Sequence, residues 1–338
     1  MTEQDLLAAA RDGDEDAFAR LISPYRRELT AHCYRMLGSI HDAEDALQEA
    51  LLRAWRGLAR FEARSSLRSW LYTIATNACL RTIERRPKRI LPMDYGPAAA
   101  DPHVPTDPPV MESVWVEPYP DDAFHVPDGL AGPDARYEQR ESVELAFIAA
   151  LQHLPGRQRA VLILRDVLGF SARETAAALE MSSPGVDSAL QRAHKTVEER
   201  LPQRSQQATL RSLGEQRLRE IVEGYIDAWE RHDVDALAAR LAEDAVLTMP
   251  PVPTWFRGRA AIAAFLRKRP LADRYRWRVL ATHANGQPAF GHYIWNDQTR
   301  SFVANEITVI TLDGARITEL TIFRDRALLE RFGLPATV

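Results

Sequence analysis

Between Ser171 and Val197 the chain carries side chains at the spacing needed to read a DNA groove. Ser171 followed three positions later by Glu174 is a capping box, so a short helix starts there and turns Ala176, Ala177 and Leu179 inward. After a tight turn, Ser182 or Ser183 caps a second helix. Val186, Leu190, Ala193 and Val197 share one face of it, which leaves Pro184, Asp187, Ser188, Gln191 and Lys195 on the wet face, flanked by Ser183 and Arg192. Two helices so arranged are a helix-turn-helix, and the wet face is the one a major groove meets.

A second chemistry lies near the N-terminus. In HDAEDALQEALLRAW the apolar stripe Ala43, Leu47, Ala50, Leu51 and Ala54 gathers Asp42, Asp45, Gln48 and Glu49 on the other side. The following segment, SLRSWLYTIATNACLRTIERR, buries Leu67, Trp70, Leu71, Ile74 and Ala78 and turns Tyr72, Thr73, Thr76, Asn77, Arg81 and Arg85 outward. Hydrogen-bonding groups interleaved with guanidinium groups suit phosphates and exposed bases. The loop FEARSS adds Phe61, Arg64, Ser65 and Ser66.

Charge separates along this region. Residues 1–52 hold 11 acidic and 5 basic side chains, whereas residues 53–89 hold 10 basic and 2 acidic ones. Such a switch points to two partners, one basic and one polyanionic. The whole chain, at a formal charge of −4, is no bulk polycation. Its 338 residues predict two to three domains. Cys33 and Cys79 sit in apolar helical patterns without a CxxC or a His/Cys ligand set, so they read as buried thiols in a reducing compartment, with no metal or cofactor. No apolar run reaches membrane-spanning length and the acidic N-terminus has no signal-peptide core, which predicts a cytoplasmic chain.

Four segments position these groups. Residues 1–88 read as all helix. Residues 89–136 form an acidic, proline-rich linker: Pro87 to Pro133 contains 11 of the 21 prolines, and Ile90 to Ala135 has nine Asp or Glu and no Lys or Arg. Helical periodicity resumes over 137–205. Residues 206–338 are α+β, with helices predicted over 217–232, Asp235–Leu241 and Arg259–Arg267 after a polar joint. An antiparallel sheet follows from YRWRVLATHA, AFGHYIWN, SFVANEITVITL and ARITELTIFRD, with turns at Asn285-Gly286 and Asp313-Gly314.

The order DAEDALQEALLRAW, basic loop, SSLRSWLYTIATNACL, interruption, LPGRQRAVLILRDVLGFSARETAAALEMSSPGVDSALQRAHKTV resembles bacterial extracytoplasmic-function (ECF) sigma factors of the sigma-70 family. The resemblance covers residues 1–88 (sigma region 2) and 137–202 (sigma region 4). It implies that Asp42, Asp45, Gln48 and Glu49 dock on the clamp helices of the largest subunit of core RNA polymerase. It further implies that Arg64, Ser65, Ser66, Tyr72, Thr73, Thr76, Asn77 and Arg81 open and read the minus-ten promoter element, with a captured base near Arg64, Ser65, Ser66 and Asn77. Ser183, Pro184, Asp187, Ser188, Gln191, Arg192 and Lys195 would read the minus-thirty-five element. Where the family often carries a basic-Ser-Arg triplet, this chain has Asp187, Ser188 and Ala189, so phosphate neutralisation there is weaker. The linker is expected to thread the basic cleft of the polymerase.

The segment YIDAWERHDVDALAARLAEDAVLTMPPVPTWFRGRAAIAAFL with the later strands resembles the SnoaL-like branch of the NTF2-like fold, a curved sheet wrapped around helices as a cone. The whole therefore looks like the sigma-G-like group: two all-α DNA-binding domains and an α+β NTF2-like cone domain. Candidate lining residues for an apolar ligand are Tyr225, Trp229, Met249, Trp255, Phe256, His283, His292, Trp295, Asn305 and Glu306. No motif fixes an acid–base pair, so the extension reads as regulatory rather than enzymatic, replacing a separate anti-sigma protein. The alternatives are a bifunctional chain whose SnoaL-like part is an enzyme or a small-ligand sensor, and a plain helix-turn-helix repressor.

Overall fold

A computed structural model describes residues 2–62, 66–103, 106–110, 114–121, 141–202 and 204–338. The chain divides into two compact units. Met1–Arg89, Ser142 and Ala146–Leu201 belong to the first; Ile90–Asp121, Val143–Leu145 and Pro202–Val338 belong to the second.

The first unit is helical. Thr2 and Asp5 form a capping box at the start of α1 (Glu3–Arg11), and the Asp14 carboxylate caps α2 (Glu15–Ile22). Helix α3 (Arg26–Leu37) stops at Gly38, whose φ of 68° is cheap only for glycine. Helices α4 (Ile40–Gly57) and α5 (Leu67–Arg85) then pack against α3. Cys33 and Cys79 lie fully buried among these helices as free thiols. A single turn, α6 (Pro92–Tyr95), opens the second unit's contribution. From Ala146 onward the first unit resumes with α7 (Leu145–Gln152), α8 (Gly156–Leu162), a π-type turn at Ile163–Val167, α9 (Ala172–Leu179) and α10 (Ser183–Glu198). The capping box at Ser171 and Glu174 is present, and Ser182 rather than Ser183 caps α10, accepting from Gly185 N at 3.2 Å.

The second unit is α+β. Helix α11 (Gln206–Glu230) begins at Ser205 and breaks at Gly214 (φ 73°). The polar joint expected before residue 217 is therefore itself helical, because Ser205 supplies a cap and Gly214 absorbs the change of direction. Helices α12 (Val234–Arg240) and α13 (Arg259–Lys268) fall where the periodicity predicts. The sheet has six strands, β1 (Leu241–Met249), β2 (Val252–Arg257), β3 (Trp277–Ala284), β4 (Gln287–Asn296), β5 (Ser301–Asp313) and β6 (Arg316–Phe323), in the order β2-β1-β6-β5-β4-β3. Its pairs are antiparallel except β1 with β6, which run parallel, so the sheet is mixed rather than purely antiparallel. The core lies between α11, α12, α13 and one face of the sheet, around Tyr225, Trp229, Leu247, Phe256, Phe265, Phe290 and Ile310. Behind β4, Gly291 leaves space for Leu334, since a Cβ there would come within 2.5 Å of it. The last helix is α14 (Arg326–Arg331).

The described residues of the acidic linker, Ile90 to Asp121, differ from an extended spacer: they lie as a strap on the second unit. Ala99 N donates to Trp255 O, Trp255 Nε1 to Gly96 O, Asp107 N to Thr254 Oγ1 and Val110 N to Pro251 O, each at 2.8–2.9 Å. Farther on, Asn285 N donates to Tyr119 O (2.9 Å), Asn285 Oδ1 accepts from Tyr119 N (2.9 Å), and Gly286 N donates to Asp121 (2.7 Å). Val114, Trp115, Val116 and Tyr119 are buried, and these apolar anchors are the physical reason a proline-rich acidic segment stays attached.

Candidate functional site

On α4, Ser39 accepts from Asp42 N at 3.2 Å and sets the first turn. Asp42 then points inward. It is 3% exposed and bridged by Arg86 and by Arg89, whose Nε lies at 3.0 Å. A buried carboxylate needs such partners, so Asp42 is an internal tie and not part of the exposed acidic face. Asp45 and Gln48 are exposed and Glu49 half-buried. Glu49 pairs with Arg53 at 2.6 Å and Arg81 lies 3.6 Å away, while Arg86 is 3.9 Å from Asp45. Leu52, three residues after Glu49, is 58% exposed, more than Tyr95 or Val338, the other large apolar side chains that stand out. Leu52 is out of step with the stripe of Leu47, Leu51 and Ala54, the one sign in the sequence that it stands outside the core.

On α5, Ser66 caps the helix, accepting from Ser69 N at 3.1 Å. Arg64 and Ser65 lie outside the described residues. Thr73, Asn77 and Arg81 are half-buried, but Tyr72 and Thr76 are 1% and 0% exposed, which corrects their outward placement. The Tyr72 hydroxyl donates to Glu28 at 3.0 Å, and the Thr76 hydroxyl donates to Tyr72 O at 2.7 Å while His32 Nε2 lies 2.8 Å from it. Burial pushes the Tyr72 phenol up and holds His32 down at about 3, so both are neutral at physiological pH. Arg68 completes the cluster with a 3.0 Å bridge to Glu28. Phe170 covers it: its ring is 5.5 Å from that of Tyr72 and 5.6 Å from the Arg68 guanidinium.

Arg159 also ties this unit together from inside. At 4% exposure it donates to Met36 O, Gln152 O and Leu154 O, the carbonyl ends of α3 and α7. Desolvation lowers its pKa to about 10.

On α10, Val186, Ala189, Ala193 and Val197 are buried. Ser183, Pro184, Asp187, Ser188, Gln191, Arg192 and Lys195 are all exposed, as the periodicity predicts. Leu190 is half-buried and Ala189 takes the inner position, a shift of one residue. Asp166, on the π-type turn, pairs with His194 and pins α10 from below.

In the second unit, Tyr225, Trp229, Met249 and Phe256 share the core, and His292 meets it through ring contacts with Tyr225, Trp229 and Trp277. Three candidates lie elsewhere. Trp255 holds the strap through Gly96, Trp295 meets Phe302 edge-to-face and donates to Asp297, and His283 is exposed. Alternation explains Trp255 and Trp295, which stand on the opposite parity to Phe256 and His292; His283 shares the parity of Trp277 and Val279 but lies toward the end of β3, where that parity is exposed. Asn305 contributes indirectly, donating to Glu306 at 3.1 Å. Glu306 stands opposite His292 in the β4/β5 pairing, and burial raises its pKa to about 7. Trp277 and Phe290 complete the cage and were not foreseen. Among the described residues, no His, Cys, Asp and Glu group could hold a metal ion, and no helix is long and apolar enough to cross a membrane.

The two helical sets and the curved sheet define a promoter-recognition protein with an NTF2-like appendage. Family comparison agrees: Sigma-70 region 2 matches residues 21–89, Sigma-70 region 4 matches 144–197, and the SnoaL-like domain matches 222–320. ECF RNA polymerase sigma factor SigG of Mycobacterium tuberculosis is 41% identical over 337 residues, covering 97% of this chain and 86% of the relative. SigM of the same organism is 31% identical over 57% of this chain and 81% of its own length. The crystal structure of M. tuberculosis SigJ matches with a TM-score of 0.55 at 19% identity, over 92% of this chain and 97% of that one, a likeness of fold. The chain belongs to the ECF sigma-factor family and carries a C-terminal SnoaL-like domain.

Proposed function

We propose that this sigma factor docks on the clamp helices of the largest polymerase subunit through Asp45, Gln48 and Glu49, with Leu52 at the centre of the contact. The observation that carries this reading is the exposed stripe at positions 45, 48, 49 and 52, which joins carboxylates to one bare leucine on a single helix face. Arg53, Arg81 and Arg86 now neutralise that face in part, and a basic coiled coil would replace them. Asp42 serves by holding the Arg86–Arg89 segment to α4.

Ser66, Thr73, Asn77 and Arg81, together with Arg64 and Ser65, read the opened minus-ten strand. Tyr72 and Thr76 position that helix. Ser183, Pro184, Asp187, Ser188, Gln191, Arg192 and Lys195 read the minus-thirty-five duplex. With Phe170 seated on Tyr72 and Arg68, the first unit rests in a closed state that must open before both elements are engaged. The SnoaL-like domain is regulatory and non-enzymatic, works in the cytoplasm beside the polymerase, and governs the chain without a separate anti-sigma protein.

Purified core polymerase supplies the test. Changing Asp45 and Glu49 together to Ala should weaken association at least about tenfold, and Leu52→Ala alone by several-fold, read by fluorescence anisotropy. Association unchanged by all three substitutions would refute the docking surface.

A further inference from the structure

Helices α1 and α2 carry none of the promoter-reading residues, yet they grip the chain at the edge of one promoter-reading surface. Ala10 on α1 and Ala17 on α2 are buried against Leu58, and Phe18 meets Trp55 of α4 at 5.1 Å. This cluster seats the end of α1 on the short 3-10 turn that follows α4 (Leu58–Arg60). Arg11, the last residue of α1, stands on that seat and reaches Phe61: its Nη2 donates to Phe61 O, and its guanidinium lies 6.0 Å from the centre of the Phe61 ring. Phe61 is 7% exposed, meets Trp70 of α5 at 4.9 Å, and donates its own N–H to Leu58 O at 3.0 Å. Both backbone groups of Phe61 are thereby bonded, and its ring is held from two helices.

The place of Phe61 in the chain gives that hold a consequence. Residues 62–65 lead from it to Ser66, which is fixed on the far side by capping α5. On the reading proposed above, this connection and the first turns of α5 take up the opened minus-ten strand. A short connection between two fixed ends has less conformational freedom to lose on capturing a base than one with a free end. Ser66 supplies one fixed end from within α5. Arg11 supplies the other from a helix distant in sequence. Arg11 is solvent-accessible, so a direct phosphate contact is the competing role, but its bond to the Phe61 carbonyl and its place over the ring favour holding the chain.

We infer that Arg11 is a positioning residue for minus-ten recognition: acting through Phe61, it sets the direction in which the chain leaves α4 and so the placement of the residues that capture the base. The inference rests on the minus-ten reading above and adds to it a residue outside the promoter-reading helices. Its physical content is preorganisation, a geometry fixed before the strand arrives.

The test uses the full chain assembled with core polymerase. From a pool of single-stranded oligonucleotides of random sequence the unaltered holoenzyme enriches a preferred one, and affinities for it and for a scrambled oligonucleotide are read by fluorescence anisotropy over a range of salt. Arg11→Met keeps the apolar stem and removes the donors. It should cut the preference for the enriched sequence at least about fivefold while the salt slope and association with core polymerase stay as they were. Arg11→Lys returns a cation and a donor and should recover part of the preference. An undiminished preference in Arg11→Met overturns the inference, as does an Arg11→Lys chain no better than Arg11→Met. Equal weakening of both oligonucleotides with the salt slope reduced by about 0.7 marks a phosphate contact and also overturns it. So does a parallel loss of core association, which marks general damage to the fold. Failure of the minus-ten reading looks different: the unaltered holoenzyme then enriches no sequence beyond what core polymerase enriches alone, and the inference falls with it.

Discussion

At the scale of single residues, Glu306 and His292 face each other across two strands with opposite linkage. Glu306 has a folded pKa raised from 4.5 to about 7, so its contribution is full below pH 4.5 and is lost as pH rises through 7. His292 has a folded pKa lowered from 6.5 to about 3, so its contribution is full above pH 6.5 and is lost as pH falls toward 3. Between about pH 4.5 and 6.5 the two slopes oppose each other and the stability curve should be flat. Glu306→Gln removes one of them. In that variant, stability of the C-terminal unit should rise with pH across this window by an amount on the order of 2 kcal/mol, measured by urea unfolding at several pH values. A variant curve parallel to that of the unaltered chain would show that Glu306 does not titrate as its burial dictates.

At the scale of elements, the legible parts were those whose information is local. The capping box at Ser171, the stripe through Ala43, Leu47 and Ala54, and the exposed set on α10 all follow from spacing within one helix. Tyr72 and Thr76 were misplaced because their burial depends on Glu28, His32 and Phe170, partners far away in sequence that no periodicity reveals. Strands β1 and β2 were missed for a related reason: LAEDAVLTM follows a helix directly, and its strand character comes from pairing with β6 and β2. The strap departs furthest from what its sequence implies, since composition alone describes a free spacer. Its attachment can be weakened at one bond network: Asn285→Ala removes the side-chain bonds to Tyr119 N and to Val143 O. The variant should open the strap to limited proteolysis between Ile90 and Asp121 at least about threefold faster, at a stability cost of about 1–3 kcal/mol for the groups left unpaired. Cleavage at the original rate would mean that the apolar anchors Val114, Trp115 and Tyr119 hold the strap by themselves.

At the scale of the whole molecule, the strap gives the extension a physical handle on transcription. Residues 90–121 follow directly on the segment that ties Asp42, and residues 143–145 lead into the first turn of α7, so both ends of the connection between the two promoter-reading domains are bonded to the C-terminal unit. If the linker threads the polymerase cleft as the family resemblance implies, freeing it requires exchanging the bonds of Gly96, Ala99, Asp107, Val110, Tyr119 and Asp121 and the buried side chains of Val114, Trp115, Val116 and Tyr119 for contacts elsewhere. If the extension has the regulatory role proposed above, it acts through differential affinity for the held and released linker, and its effect on output must vanish when it is removed. A chain ending at Arg204 should give promoter-directed RNA in vitro at a level changed at least about fivefold from the full chain, while its Trp115 emission shifts red as the strap loses its support. If RNA output is the same from both chains although the Trp115 shift is seen, the linker is released without consequence and the C-terminal domain regulates nothing through it.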